Sequence, residues 1–188
     1  MAEVFLGKVV GAEGFEKPVA VKRILPNYVQ DAAFTELFLR EAKVSTLLQH
    51  ANVVQVLDLG MSSGQYYMVM EFVEGENLRS LIKAARARQA SLGLREVCFI
   101  AQQVAEGLAY AHSRTDSTGA PLNIVHRDIN PSNVMIGSNG EVKLADFGIA
   151  KVADGHQETQ AGVLKGKINY LSPEQVLSKP VDQRSDIF

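Results

Sequence analysis

The residues best suited to chemistry lie in two short segments of the chain. The first is His126–Asn133, which reads HRDINPSN, and the second is Asp146-Phe147-Gly148. Carboxylate and amide oxygens in this arrangement suit a hard cation such as Mg²⁺, which takes a few protein oxygens and completes its shell with other ligands. Asp128 could also accept a proton from a hydroxyl nucleophile. Taken one at a time, these residues are better explained by turns and caps, where Asp and Asn are common.

In this order and spacing, the two segments resemble the protein kinase signatures, the catalytic loop H-R-D-x-x-x-x-N followed by D-F-G. Three further motifs lie where that resemblance requires them. Val19-Ala20-Val21-Lys22 is similar to the V-A-I-K strand, Glu41 matches the glutamate of the helix that follows, and Ser172-Pro173-Glu174 resembles A-P-E. The resemblance is to Ser/Thr protein kinases, particularly the bacterial type, and it covers residues 1–188.

The resemblance implies an α+β fold of the two-lobed protein kinase type, with a β-rich small lobe and a helical large lobe. Residues 1–70 would form the small lobe without its first strand and most of its Gly-rich loop. Residues 71–75 would form the hinge, and residues 76–188 part of the large lobe. We therefore expect a fold truncated at both ends, which by itself folds poorly and transfers phosphate slowly.

The resemblance also implies roles for five residues around ATP and Mg²⁺. Lys22 would hold the α- and β-phosphates while pairing with Glu41, because an unpaired buried charge is costly. Asn133 and Asp146 would hold the metal ion. Asp128 would orient the substrate hydroxyl and take its proton.

A further set of residues matches the family positions that surround the adenine ring. Met70 stands at the gatekeeper position, at the end of the last small-lobe strand, and the backbone of Glu71 and of Val73 would bond the adenine edge. The ring itself would lie between the side chains of Val4, Ala20 and Met135. Apolar residues at these positions are equally typical of an ordinary core.

Two residues are assigned supporting roles by the resemblance. His126 would be a packing residue whose ring supports Phe147, without a part in proton transfer. Asp186, near the end of the chain, would bond the backbone of the catalytic loop.

One regulatory hypothesis rests on Arg127, which directly precedes Asp128. Thr159 is the only Ser or Thr between Asp146 and Ser172. We hypothesise that phosphorylated Thr159 pairs with Arg127, since phosphate and guanidinium form charge-assisted, two-point contacts. The alternative is an ordinary loop threonine.

The chain departs from the Ser/Thr kinase pattern at two places. Asn130 stands where a lysine is usual, and Gly166 is followed by Lys167 where a threonine is usual. We hypothesise that Lys167 reaches into the site and supplies the missing positive charge, because a cation at the transferring phosphoryl group stabilises the transition state. The alternative is an exposed lysine in a loop.

Elements that would position these residues follow from the spacing of apolar residues and from turn signals. The predicted strands are residues 2–10, 18–25, 52–60, 66–73 and 141–148. The predicted helices are residues 31–49, capped by Asp31, and Leu94–Ser113. Cys98, in the run VCFIA of the second helix, is predicted to be a buried small hydrophobe.

Composition restricts the class of protein further. The 188 residues include 19 basic and 21 acidic side chains and are 46% hydrophobic. This balance disfavours nucleic acid and anionic membrane as partners, because neither would meet a broad positive field. We expect a cytoplasmic protein, or the cytoplasmic part of a larger membrane-anchored one, whose partners are ATP and protein substrates with Ser or Thr acceptors.

Two other readings remain open at this level. The first is a pseudokinase, which would bind nucleotide or protein partners without catalysis. The second is a small-molecule phosphotransferase of related fold. Retention of Lys22, Glu41, Asp128, Asn133 and Asp146 argues against the first, and the D-F-G and A-P-E-like motifs argue against the second.

Overall fold

A computed structural model describes residues 2–29, 31–147 and 168–188. Its strands are β1 (Ala2–Val10), β2 (Glu16–Ile24), β3 (Val56–Ser62), β4 (Gln65–Glu71), β5 (Gly75–Asn77), β6 (Val134–Gly137) and β7 (Val142–Leu144). Its α-helices are α1 (Ala32–Ser45), α2 (Leu78–Ala87), α3 (Leu94–His112), α4 (Pro173–Val176) and α5 (Arg184–Ile187). The strands form two antiparallel sheets, one of order β1-β2-β4-β3 and one of order β5-β6-β7.

Helix α1 packs against the four-stranded sheet. Its N-terminus is capped by Asp31, whose carboxylate accepts a hydrogen bond of 3.2 Å from the backbone N–H of Phe34. Apolar side chains of the helix and the sheet share one core: Ile24, Phe38, Ala42, Val56, Met68 and Met70. The helix ends at Ser45, four residues before the predicted end, because the backbone then turns through short bonds such as Leu48 N–H to Ser45 C=O.

The segment that follows α1 forms backbone hydrogen bonds with the three-stranded β5-β6-β7 sheet. Residues 52–54, predicted as the start of a strand, bond β7 instead: the N–H of Val54 donates to Leu144 C=O, and the N–H of Leu144 donates to Asn52 C=O, both at 2.8 Å. Helix α3 approaches closely at Gly107, where a Cβ would lie 2.8 Å from the Asn52 oxygen. These contacts fix β7, and therefore the residues that follow it, relative to α3.

A second core lies between α3 and the small β5-β6-β7 sheet. Its buried members are Leu48, Val53, Leu108, Ala111, Ile124, Val134, Val142, Leu144 and Phe147. The ring of Phe147 is buried in this core. Because Asp146 directly precedes Phe147, this burial helps to fix the position of Asp146.

The prediction for Cys98 is wrong, because this residue is exposed. The buried stripe of α3 consists of Gly107, Leu108 and Ala111, supported by Ile100 and Val104, and Cys98 lies to one side of it. Apolar side chains at the start of this helix are exposed as well.

In the described part of the chain, no helix is both long enough and apolar enough to span a bilayer.

Candidate active site

An ion-pair network joins β2, α1 and the end of β7. The Nζ atom of Lys22 lies 2.7 Å from Oε1 of Glu41 and 2.8 Å from Oδ1 of Asp146. The side chains of Lys22 and Glu41 are only 11% and 12% exposed, whereas that of Asp146 is 43% exposed. The structure thus brings together the predicted Lys22–Glu41 pair and adds a direct contact to the proposed metal ligand, which faces a more open space.

The electrostatics of this network keep Lys22 charged. Burial by itself would lower the pKa of Lys22, but the carboxylates of Asp146 and Glu41 outweigh burial and raise that pKa above its ordinary value. The pKa of Glu41 is also raised, chiefly because burial disfavours its charged form, although Lys22 opposes the shift. A permanent ammonium is therefore held at the edge of the site, where an anion could reach it.

The catalytic-loop residues form a second cluster around Asp128. The Nδ2 group of Asn133 donates to the backbone oxygen of Asp128 at 2.8 Å and to its Oδ2 at 3.1 Å. The Nδ2 group of Asn130 also donates to the backbone oxygen of Asp128, at 2.9 Å, and Asn130 Oδ1 accepts the N–H of Ser132 at 2.9 Å. Asn130 is buried, so its side chain braces the loop and does not replace the usual lysine in the open site.

Asp186 holds the start of the catalytic loop. Its Oδ2 accepts the backbone N–H of His126 at 2.8 Å, and its Oδ1 accepts that of Arg127 at 2.7 Å. The ring Nε2 of His112 lies 2.8 Å from the same Oδ2. Arg127 has φ +66°, a left-handed conformation that is costly for a residue with a side chain, and these bonds help to hold it there. The predicted bond from Asp186 to the loop backbone is present.

His126 is placed for packing. Its ring lies 4.5 Å from that of Phe147, centroid to centroid, and is completely buried. Burial lowers the pKa of this imidazole, so it is neutral at pH 7. In that state Nδ1 accepts the N–H of Asp128 at 3.3 Å, and Nε2 donates to Ala145 C=O at 3.2 Å. Both nitrogens bond the backbone beside the two key aspartates, which matches the supporting role expected for this ring.

Three of the six predicted adenine-contacting residues share one face of the four-stranded sheet. Val4 pairs with Lys22 across β1 and β2, and Ala20 pairs with Met70 across β2 and β4. Because side chains alternate along a strand and directly opposed residues share a face, these side chains lie on the same face as Lys22. Met135 belongs to the other sheet, on β6.

The proposed hinge begins where β4 ends. The N–H of Glu71 donates to Gln55 C=O at 2.9 Å, so only the carbonyl of Glu71 could contact an adenine edge. Val73, two residues on, is buried.

A buried ion pair behind the hinge was not foreseen from the sequence. The Nζ of Lys143, on β7, lies 3.0 Å from Oε1 of Glu71, which also accepts the N–H of Gln55 at 2.8 Å. Lys143 is only 8% exposed. The available signal was a lysine inside the apolar run VKLA, where a charge that cannot reach water needs a partner.

The structure describes only Arg127 among the three residues of the phosphorylation and charge-compensation hypotheses. Burial lowers the pKa of Arg127, and its Nε is buried without a hydrogen-bond partner among the described residues. Thr159 and Lys167 lie outside the described residues, so their hypotheses stay predictions.

The donor set fits a magnesium-nucleotide complex better than a metal held by protein alone. Within residues 2–29, 31–147 and 168–188, no group of three His, Cys, Asp or Glu side chains could hold a metal ion. The amide nitrogen of Asn133 faces Asp128, so the Oδ1 atom of Asn133 points away from Asp128. The carboxylate of Asp146 is partly exposed to solvent. One carboxylate and one amide oxygen suit Mg²⁺ when phosphates supply further ligands.

Comparisons with known proteins agree with this geometry. The family model described as "Protein kinase domain" matches residues 5–188. The chain is 44% identical to Tyrosine-protein kinase MasK of Myxococcus xanthus and 35% identical to Serine/threonine-protein kinase PrkC of Bacillus subtilis, both over its whole length. It spans only 29% and 27% of those two proteins.

Solved structures agree as well. The crystal structure of the Mycobacterium tuberculosis PknI kinase domain matches 99% of this chain at 33% identity, with a TM-score of 0.70, and the match covers 64% of the solved chain. The likeness spans both sheets and α3, so the predicted two-lobed, truncated kinase fold is confirmed. The chain belongs to the protein kinase family.

Proposed function

We propose that the whole protein is an ATP-dependent protein kinase that transfers the γ-phosphoryl group to Ser and Thr hydroxyls. The observation that carries this proposal is the meeting of Lys22, Glu41 and Asp146 in one ion-pair network. A lysine held by one carboxylate beside a second, partly exposed carboxylate is the arrangement that a phosphate site with a bound metal ion requires.

The roles follow from the geometry. Lys22 would bind phosphate oxygens, with Glu41 keeping the ammonium in place. Asp128 would accept the proton of the acceptor hydroxyl. The oxygen of that hydroxyl would bond the γ-phosphorus while the bond from the γ-phosphorus to the β–γ bridging oxygen breaks, which releases ADP. Asn133 and Asp146 would hold Mg²⁺, which neutralises charge on the phosphates when bound.

The remaining predicted roles are part of the same proposal. The sheet face of Lys22 would cover the adenine, with the carbonyl of Glu71 and the backbone of Val73 at its edge and Met135 below. Residues 1–70 and 76–188 would act as two lobes joined at 71–75. Phosphorylated Thr159 would pair with Arg127, and Lys167 would supply the charge that Asn130 lacks. The reaction requires ATP, which is a cytoplasmic nucleotide, so we place the kinase domain in the cytoplasm. This holds whether or not the whole protein is anchored to a membrane.

The acceptor residue is the point at which the relatives differ. PrkC and the 36% identical PknA of Mycobacterium tuberculosis are named serine/threonine kinases, whereas MasK is named a tyrosine kinase. We propose Ser and Thr acceptors because Pro131-Ser132-Asn133 and Leu171-Ser172-Pro173-Glu174-Gln175 resemble the Ser/Thr pattern.

Phosphoamino acid analysis tests the proposal. The purified whole protein is incubated with a mixed protein substrate, Mg²⁺ and γ-labelled ATP, and the labelled substrate is then hydrolysed. We expect labelled phosphoserine or phosphothreonine, and no label after chelation of Mg²⁺. Phosphotyrosine alone would overturn the acceptor assignment and keep the kinase, whereas an unlabelled substrate would overturn both.

A further inference from the structure

Helix α2 carries an exposed row of positive charge. The row consists of Arg79, Lys83 and Arg86, with Arg88 directly after the helix, and is called here the basic stripe. At 100° per residue the three helical members lie within an arc of about 60°. The helix, LRSLIKAARA, contains no acidic residue. In the described part of the chain, no ion pair neutralises the stripe.

Arg79 occupies an unfavourable position for a cation. It lies in the first turn of α2, directly after Asn77 and Leu78, and no acidic residue shares that turn. The N-terminal end of a helix carries partial positive charge, so an arginine there is unfavourable where an acidic side chain would stabilise the helix. An exposed position that breaks a local rule without a compensating contact is typical of a binding residue.

The basic stripe starts beside the catalytic loop. The backbone N–H of Arg79 donates to the backbone oxygen of Pro131 at 2.9 Å. Pro131 is three residues from Asp128, a separation of at most about 11 Å. At about 1.5 Å per residue along the helix, Lys83 lies about 6 Å and Arg86 about 10 Å beyond Arg79. An extended peptide advances about 3.3 Å per residue, so one anchored at Asp128 would reach the stripe after about three to six residues.

We propose that the basic stripe binds acidic residues of the protein substrate, about three to six positions from the acceptor hydroxyl. This inference rests on the proposed kinase activity and adds the charge of the substrate to it. Charge complementarity favours an acidic segment, and the net charge of −2 of the full sequence supplies no overall positive field for a larger polyanion. Glu74 and Glu76, which precede the helix, reduce the excess of positive charge around it. We therefore expect the basic stripe to discriminate between substrates more than it raises the affinity for any one substrate.

A pair of peptides with the same acceptor tests the inference. One carries glutamates at positions three to six on both sides of the acceptor, and the other carries glutamines there. We expect kcat/KM to be about three- to tenfold higher for the glutamate peptide, because each exposed ion pair adds only a small factor. The Lys83→Glu variant should reduce this ratio about two- to fivefold, and 0.5 M salt should reduce it in the wild type.

Lys17→Glu is the matched control, since it reverses an exposed lysine at the far end of the β1–β2 hairpin. We expect it to leave the ratio unchanged. Equal kcat/KM for the two peptides, or equal losses in both variants, would overturn the inference.

Binding of the same two peptides, measured by fluorescence anisotropy, does not depend on turnover. The inference is supported if the protein binds the glutamate peptide more tightly and if Lys83→Glu weakens this preference while Lys17→Glu does not. This holds even if no phosphate is transferred, in which case only the kinase proposal is overturned. Equal binding of both peptides would overturn the stripe. Binding of phosphatidylserine vesicles that outcompetes the glutamate peptide would also overturn it, since the occupant would then be a membrane.

Discussion

Replacing Lys22 with methionine is expected to lower the rate of phosphoryl transfer by about 100-fold or more. The substitution removes the one ammonium that lies within 2.8 Å of both Glu41 and Asp146. Glu41 then loses its counter-charge in a buried position where burial already raises its pKa, so its carboxyl group takes up a proton more readily. The expected result is a folded protein with weak phosphate binding and little transfer, measured by kcat and KM for ATP and by circular dichroism.

Lys8→Met is the matched control for this variant. Lys8 forms an ion pair of 2.6 Å with Glu16, but both side chains are more than half exposed. Exposed pairs contribute little, so Lys8→Met should leave transfer within a factor of two of the wild type. A Lys22→Met protein that keeps a third of wild-type turnover would contradict the assigned role.

The second large effect concerns stability. Asp186→Ala should lower the free energy of unfolding by about 3 kcal/mol or more, because two buried N–H groups would lose their acceptor. Those groups belong to His126 and Arg127, and the carboxylate between them is buried. The loss should also reduce transfer, since the strained backbone at Arg127 would be released next to Asp128. Chemical denaturation followed by circular dichroism measures the change.

Asp182→Ala provides the comparison, because Asp182 pairs with Arg184 at the surface and holds no backbone of the catalytic loop. It should unfold close to the wild-type midpoint. If Asp186→Ala proves too unstable to purify, Asp186→Asn keeps one acceptor oxygen and should fall between Asp186→Ala and the wild type. Equal midpoints for Asp186→Ala and Asp182→Ala would show that the loop is held by other contacts.

The parts of the fold that could be predicted are those with a strong local signal. Strand alternation predicted β1 and β2 to within two residues, and the spacing of apolar residues with Asp31 as cap predicted α1. The resemblance to protein kinases implied the pairing of Lys22 with Glu41, which the structure contains. The strands and the helix are local in sequence, and the pair belongs to motifs of characteristic spacing, so one sequence is sufficient to find them.

Features that depend on tertiary contact were not predicted. Helix α2 was not predicted because its outer face is basic and its inner face short. Residues 52–54 bond β7, a long-range contact that no local pattern indicates. The Glu71–Lys143 pair joins residues 72 apart, which no local pattern indicates. Asn130 was interpreted as a missing cation, and only the structure shows that its amide braces the loop around Asp128.

The most direct test of the central claim is transfer of the labelled γ-phosphoryl group by the wild-type protein beside its Asp128→Asn variant, purified in the same way and assayed with saturating ATP and Mg²⁺. Asparagine keeps the size of the side chain and cannot accept the proton of the acceptor hydroxyl, so we predict labelled substrate with the wild type and a loss of about 100-fold or more with the variant. Equal labelling by the two proteins would contradict the claim, because the phosphoryl transfer would then not depend on the catalytic loop that Asp186, Asn133 and Asn130 hold in place.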